Sequence, residues 1–331
     1  MSDATPELSI VVPMHNEAAN VEPLHAQLVA ALEPLGRSAE LVFVDDGSSD
    51  ATFERLADLH RGQGTAGGDG PSVEVLRLRR QFGKSAALAA GFDAARGHIV
   101  LTLDGDLQDD PAEIPRFLDK LDEGYDLVTG WKRRRHDPPS KVLASRLFNL
   151  VVSRLSGLPL HDVNCGFKAY RRPLVDELQL RGGLHRYIPV LGAARGYRCA
   201  EIEVAHRPRQ HGSSKYGLAR LVTAPLDLLT VLLLTRYAAR PLHFFGGLGV
   251  ACFAAGLVLD VVQGVLWLAG RPLVGMAMVA FVGALLMLLG VQLIAVGLLA
   301  EHRISRDGGH PRPYSIAERL PNRAPHASPT T

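Results

Sequence analysis

The sequence predicts an α/β fold, a doubly wound and mostly parallel sheet, followed by interfacial amphipathic helices and a transmembrane helical hairpin. Three observations carry this. Short apolar runs alternate with helix-length amphipathic segments through the first part of the chain, as a parallel sheet covered on both faces requires. Those runs stop on polar or acidic residues, where strands of such sheets deliver loops to a ligand crevice. The C-terminal third then holds two apolar stretches, Phe244 to Ala269 with Asp260 as its one charge and Leu273 to Ala300 with none. Each exceeds the about 20 residues that a hydrocarbon core needs.

Taken in order, Leu8 to Pro13 reads as the first strand, leading through His15, Asn16 and Glu17 into a helix with apolar positions at Val21, Leu24, Leu28, Leu32 and Leu35. Glu40 to Asp45 is the second strand, and Ser49 or Asp50 caps the helix that follows, to about Leu59. Arg61 to Pro71, rich in glycine, is a flexible loop. Val73 to Leu78 is the third strand. Gln81-Phe-Gly-Lys-Ser85 opens a helix through Ala95, ended by Gly97. Ile99 to Leu103 is a buried strand that stops on Asp104, Pro111 starts a helix to about Asp122, and Asp126 to Gly130 is a further short strand. A segment at about 138–160 is amphipathic, with Val142, Leu143, Leu147, Phe148, Leu150 and Val151 against Lys141, Arg146 and Arg154, and suits a membrane surface. Pro225 to Thr235 is too short to span a bilayer and reads as interfacial. The organisation expected is therefore a domain at 1–216, interfacial helices at 217–243, two spans at 244–300 and a disordered tail at 301–331.

With 331 residues and a formal charge of +2, nothing overall points to nucleic acid. Cys165, Cys199 and Cys252 are isolated, which argues for a reducing compartment and against structural zinc. Met1 to Glu7 has no basic region ahead of an apolar run, so no signal peptide is expected. His302, Arg303, Arg306, His310 and Arg312 follow the second span, against Arg271 alone in the turn. That bias puts the domain and both termini in the cytoplasm, on a multi-pass protein of the inner (plasma) membrane. Asp260 falls near the bilayer midplane, roughly 17 Å from the turn at 1.5 Å per residue. Two readings stand for it: a functional carboxylate, or a protonated bridge to a neighbouring subunit.

Asp104, Asp106, Gln108, Asp109 and Asp110 crowd one strand end. Carboxylates so close repel unless a cation sits among them, and hard oxygens suit Mg²⁺ or Mn²⁺ held together with a phosphate-bearing substrate. Other chemistries fail on spacing. The glycine that a Walker loop needs five places before Gly83 is Leu78. No G-x-G-x-x-G follows the first strand, and no nucleophilic triad suggests itself.

Six motifs stand in order: Val11-Val-Pro13 with Asn16-Glu17, Asp45-Asp-Gly-Ser48 with Asp50, Gly83-Lys84, Asp104-Gly-Asp-Leu-Gln108 with Pro111, Asp162-Val-Asn-Cys-Gly-Phe-Lys168, and Arg209-Gln-His-Gly-Ser-Ser-Lys-Tyr216. Together they resemble the family 2 glycosyltransferases of GT-A fold, and more closely the polyprenyl-phosphate glycosyltransferases that include dolichol-phosphate mannose synthase. The resemblance implies an inverting, metal-dependent hexosyltransferase. Pro13, Asn16, Glu17, Asp45 and Asp46 would line the nucleoside pocket of a nucleotide sugar linked to UDP or GDP. Lys84 and Asp104 would hold its inner parts, and Asp106 and Gln108 would ligate Mg²⁺ or Mn²⁺ on the diphosphate. Lys132 and Arg135, with Arg209, Ser214 and Lys215, would meet phosphates, the first two that of the lipid. Asp162 would lie near the acceptor, giving Asp104, Asp106 and Asp162 as the catalytic carboxylates. Asp109 and Asp110 are left to cap the helix at Pro111. The partners implied are the nucleotide sugar, polyprenyl phosphate and the lipid bilayer, with a homo-oligomer left open. Two rivals are a processive polysaccharide synthase, whose Q-x-x-R-W segment does not appear, and a non-catalytic membrane protein that binds nucleotide sugars.

Overall fold

The computed structural model describes residues 5–63, 70–133, 149–154, 156–207, 229–231, 233, 235, 237, 240–270 and 276–306. It divides into two units, residues 1–238 and 239–331. In the first, β1 (Leu8–Met14), β2 (Ala39–Asp45), β3 (Ser72–Arg77), β4 (Ile99–Thr102), β5 (Leu127–Trp131), β6 (Lys168–Arg171) and β7 (Cys199–Glu203) form one sheet in the order β3-β2-β1-β4-β6-β5-β7. Its helices are α1 (Val21–Leu32), α2 (Thr52–Gln63), α3 (Lys84–Ala94), α4 (Ile114–Asp122), α5 (Arg172–Glu177) and α6 (Ile188–Ala194).

Alternation along β1 divides the core between the two faces of the sheet. Leu8, Ile10 and Val12 pack with Leu24, Leu28, Leu56 and Phe117 from α1, α2 and α4. Val11 packs with Val42, Val44, Ala87, Phe92, Val100 and Tyr170, on the side covered by α3. Burial on both faces is why the first, second and fourth strands read as near-continuous apolar runs. β1 pairs in parallel with both β2 and β4. The chain thus winds to one side of β1 and then to the other, and the switch between β1 and β4 opens the crevice in which such sheets bind ligands.

The sheet is mostly parallel, with one exception. β6 runs antiparallel between β4 and β5, whereas β5 and β7 are parallel. Neither β6 nor β7 is evident in the sequence, because both are short and each carries charged residues. Two local expectations are corrected. The third helix ends at Ala94 on an extended Ala95, not at Gly97. Gly97 is small for another reason: a Cβ there would come within 2.6 Å of Ser9 Oγ. The second helix continues past Leu59 to Gln63, and its cap is Asp50, whose Oδ1 accepts from Thr52 N at 3.0 Å.

Most of the amphipathic segment lies outside the described residues, as does much of Pro225 to Thr235. Residues 149–154 are helical, with Leu150, Val151 and Arg154 exposed and Val152 buried against Leu160, Leu184 and Tyr187.

The second unit contains α7 (Pro241–Leu268) and α8 (Met276–Arg306), both long and apolar enough to cross a membrane, with 18-residue stretches of mean hydropathy 2.0 and 2.6. Glycines let the two backbones approach. A Cβ on Gly249 would come within 2.6 Å of Gly290 O, and Gly256 faces Gly283 O in the same way. The spacing of seven between Gly249 and Gly256, and between Gly283 and Gly290, keeps these residues on one seam.

Candidate active site

Four loops meet at the crevice, and the first two are locked together. Asn16 sits at φ 51, a left-handed conformation that asparagine tolerates. Its N–H donates to Ser48 Oγ at 2.9 Å, and its Oδ1 accepts from Ser49 N at 2.8 Å. Glu17 N donates to Thr52 Oγ1 at 2.9 Å, and Glu17 Oε2 accepts from Asn20 Nδ2 at 2.6 Å. Pro13 lies within β1, paired with Val44. Asp46 ties in the third loop by accepting from Phe82 N at 2.7 Å and Gly83 N at 2.9 Å. Asp45 is fully buried; its Oδ1 accepts from Ser48 N at 3.1 Å, while its Oδ2 accepts no hydrogen bond among the described residues and is ion-paired with Arg77, whose Nε lies 3.7 Å away.

The acidic loop is organised by a strained turn. Leu107 has φ 61, an unusual conformation for a bulky residue, worth on the order of 1–3 kcal/mol of strain. Its side chain is 1% exposed and belongs to the core, which supports the turn. The consequence is that Asp106 and Gln108 stand side by side, with Asp106 Oδ1 accepting from Gln108 N at 3.2 Å. Gln108 Nε2 leans toward Arg207 O at 3.5 Å, which leaves its Oε1 turned the other way.

Basic side chains separate the remaining carboxylates. Lys84 pairs with Asp104, Lys132 with Asp109 at 2.6 Å, and Arg207 with Asp110. Burial alone would push the Asp104 carboxyl up, but Lys84 and Lys132 outweigh it and hold it at about 2. Lys168, buried beneath the site, donates to Cys165 O and is drawn down to about 8, chiefly by burial. Gly166 lies against Asp104, where a Cβ would come within 2.5 Å of Oδ2. Asp162 is 2% exposed, near Lys168. The cations that sit among these carboxylates are therefore, in large part, lysine and arginine. Asp109 is likewise not a helix cap, since that role falls to Asp110, whose Oδ1 accepts from Ala112 N at 3.1 Å.

Among the described residues no group of three or more His, Cys, Asp or Glu side chains could hold a metal ion. Asp106 and Gln108 supply two hard oxygens, which fits a cation whose other ligands come from a diphosphate and water. Arg135, Arg209, Ser214 and Lys215 lie outside the described residues. The chain leading to the last three is fixed, however: Arg207 N donates to Gln108 O at 3.0 Å, and Arg207 Nη1 donates to Gln27 Oε1 at 3.2 Å. Arg207, Leu107 and His185 are not evident in the sequence, because their contacts are with neighbours 99 to 180 residues away or depend on a backbone angle.

The glycosyl transferase family 2 profile matches residues 9–179. Dodecaprenyl-phosphate galacturonate synthase of Rhizobium johnstonii is 39% identical over 300 residues, 89% of this chain and 87% of that one. Undecaprenyl-phosphate 4-deoxy-4-formamido-L-arabinose transferase of Pseudomonas aeruginosa is 37% identical over 326 residues, 98% and 93% of the two chains. Among solved structures, glucosyl-3-phosphoglycerate synthase of Mycobacterium tuberculosis with phosphoglyceric acid shares the fold, with a TM-score of 0.50 and 24% identity over 69% of this chain and 79% of that one. The acidic loop at the switch between β1 and β4 lies inside the matched region, and the likeness to the two transferases runs through the apolar hairpin as well, so the chain belongs to glycosyl transferase family 2.

Proposed function

We propose that this protein transfers a sugar from a nucleoside diphosphate sugar to a polyprenyl phosphate at the cytoplasmic leaflet, with inversion at the anomeric carbon. The observation that carries the reading is the Leu107 turn, which holds Asp106 and Gln108 together at the carboxyl end of β4. The two similar transferases, alike over nearly the whole chain, support the polyprenyl acceptor.

In this reading Pro13, Asn16, Glu17, Asp45 and Asp46 line the nucleoside end. Asp106 and Gln108 hold Mg²⁺ or Mn²⁺, which neutralises the charge that grows on the leaving diphosphate. Asp104, kept ionised by Lys84, faces the donor sugar and takes no proton at neutral pH. No strong base is needed at the acceptor, because a phosphomonoester with a second pKa of about 6 is already largely dianionic there. Asp162 then orients the acceptor. Arg135, Arg209, Ser214 and Lys215 are assigned to its phosphate or the donor's. The helices α7 and α8 anchor the chain in the bilayer, with the exposed Leu150 and Val151 resting at its surface.

The test is transfer from radiolabelled UDP- and GDP-linked sugars to polyprenyl phosphate in membranes, with and without a chelator. Chelation and Asp106→Ala should each abolish transfer while the protein still folds and inserts. Full activity in Asp106→Ala, or a retained anomeric configuration in the product, would overturn the reading.

A further inference from the structure

Ser85 and His185 form a clasp for which the motifs above have no use. Ser85 is 2% exposed at the start of α3, one residue after Lys84. His185 lies in a tight turn, Leu184–Tyr187, whose flanking Leu184 and Tyr187 are buried in a separate apolar cluster. Ser85 Oγ and His185 Nδ1 are 2.8 Å apart, and His185 backbone N donates to the same Oγ at 3.2 Å. The turn is thereby tied to the rim of the crevice across a separation of 100 residues.

The hydrogen-bond pattern of the clasp assigns the imidazole proton. Ser85 Oγ already accepts the backbone N–H, and the only acceptor it meets among the described residues is Nδ1. Its hydroxyl proton satisfies Nδ1, so the ring carries its own proton on Nε2. The charges that act on the ring are those of Lys84 from α3, Lys168 from β6, the adjacent Arg186 and the carboxylate of Asp104. Burial first, then Lys84, Arg186 and Lys168, push His185 down to about 2, with Asp104 opposing. The ring therefore stays neutral through the physiological range and offers a fixed N–H. Nε2 meets no acceptor among the described residues, and His185 is only partly buried.

We propose that His185 is a specificity-determining residue, whose Nε2–H, oriented by Ser85, donates to an oxygen of the sugar being transferred. The placement follows from its neighbours: Lys84 and Asp104 are the pair assigned above to the sugar-proximal part of the donor, so this inference rests on the nucleotide-sugar reading. Lysines at such a place attract any anion, whereas one fixed N–H discriminates by direction. An oxygen acceptor held here is recognised by position, and a sugar lacking that oxygen leaves the N–H unpaired.

The test uses the full chain in detergent and compares calorimetric affinity for UDP and GDP alone with that for a panel of UDP- and GDP-linked sugars. His185→Phe should weaken the preferred nucleotide sugar by about tenfold, the value of one hydrogen bond, and leave the free nucleotide unchanged. His185→Gln, which keeps a side-chain N–H, should recover most of the affinity, and Ser85→Ala should fall between. The wild-type preference for that sugar should stay flat from pH 5.5 to 7.5. If His185→Phe does not fold, His185→Asn replaces it with the same expectation, its N–H being too short to reach. Equal weakening of free nucleotide and nucleotide sugar, or no weakening, would overturn the proposal. Sugar binding that depends on His185 without any transfer to polyprenyl phosphate would sink the transferase reading alone. Transfer that is indifferent to His185 would sink this inference alone.

Discussion

Lys132 Nζ lies 2.6 Å from Asp109 Oδ1, and Asp109 is withdrawn completely from solvent. Burial by itself would lower the lysine, but Asp109 reverses this and raises it, so the ammonium is held at neutral pH. The pair cross-links the acidic loop to the end of β5. Removing one partner strands a buried charge, so Asp109→Leu alone should cost about 3–5 kcal/mol, whereas Lys132→Met together with Asp109→Leu should recover most of it. Denaturant unfolding of the three proteins checks this. Equal losses in the single and double variants would show that a stranded Lys132 charge is not the source of the loss.

Metal binding should depend on nucleotide. Asp106 and Gln108 provide too few oxygens to hold Mg²⁺ or Mn²⁺ tightly, and the diphosphate supplies more. Titration of Mn²⁺ followed by electron paramagnetic resonance should give weak binding to the protein alone and at least tenfold tighter binding with the preferred nucleotide present. Asp106→Asn should abolish the gain, because it removes the charge and leaves the Leu107 turn in place. Tight Mn²⁺ binding without nucleotide would contradict the shared-ligand arrangement.

Lys168 should leave a signature in the pH dependence of stability. Its folded value of about 8, set mainly by burial with Lys84 adding to it, lies below the about 10.4 of an unfolded lysine. Below pH 8 the folded protein carries a charge at a cost. Between about 8 and 10.4 the unfolded chain binds more protons, so this group makes stability rise with pH. The wild type should therefore gain on Lys168→Met by roughly 3 kcal/mol between pH 7.5 and 10.5. A difference between the two proteins that is constant over that range would show that Lys168 titrates normally.

What could be read from the sequence follows the range of the physics. β1, β2 and β4 were legible because burial on both faces writes an unbroken apolar run. The spans were legible because hydrocarbon tolerates so few charges. β6 and β7 were not, since Lys168–Arg171 and Cys199–Glu203 become strands only through neighbours distant in the chain. Within the site, ordered motifs brought out Asp104, Asp106 and Gln108, but the ion pairs that separate the carboxylates depend on tertiary placement. Asp109 and Asp110 are adjacent in sequence yet serve a buried lysine and a helix cap, respectively. Spacing alone does not distinguish them.

In the hairpin the Asp260 carboxylate lies against Gly283, where a Cβ would come within 2.7 Å of Asp260 Cγ, and Asp260 Oδ1 accepts no hydrogen bond among the described residues. This differs in kind from Gly249, whose Cβ would meet the Gly290 carbonyl within 2.6 Å. A side chain can be truncated to make room, whereas a backbone carbonyl cannot. Gly283→Ala should therefore destabilise the detergent-solubilised protein by about 1–3 kcal/mol, and Asp260→Ala with Gly283→Ala should restore most of it. Gly249→Ala should cost at least as much and gain nothing from Asp260→Ala. Thermal unfolding of the four variants separates these outcomes. Asp260→Asn, nearly isosteric, should retain transfer activity if the carboxylate serves helix packing; its loss in a protein that unfolds normally would assign Asp260 to function instead.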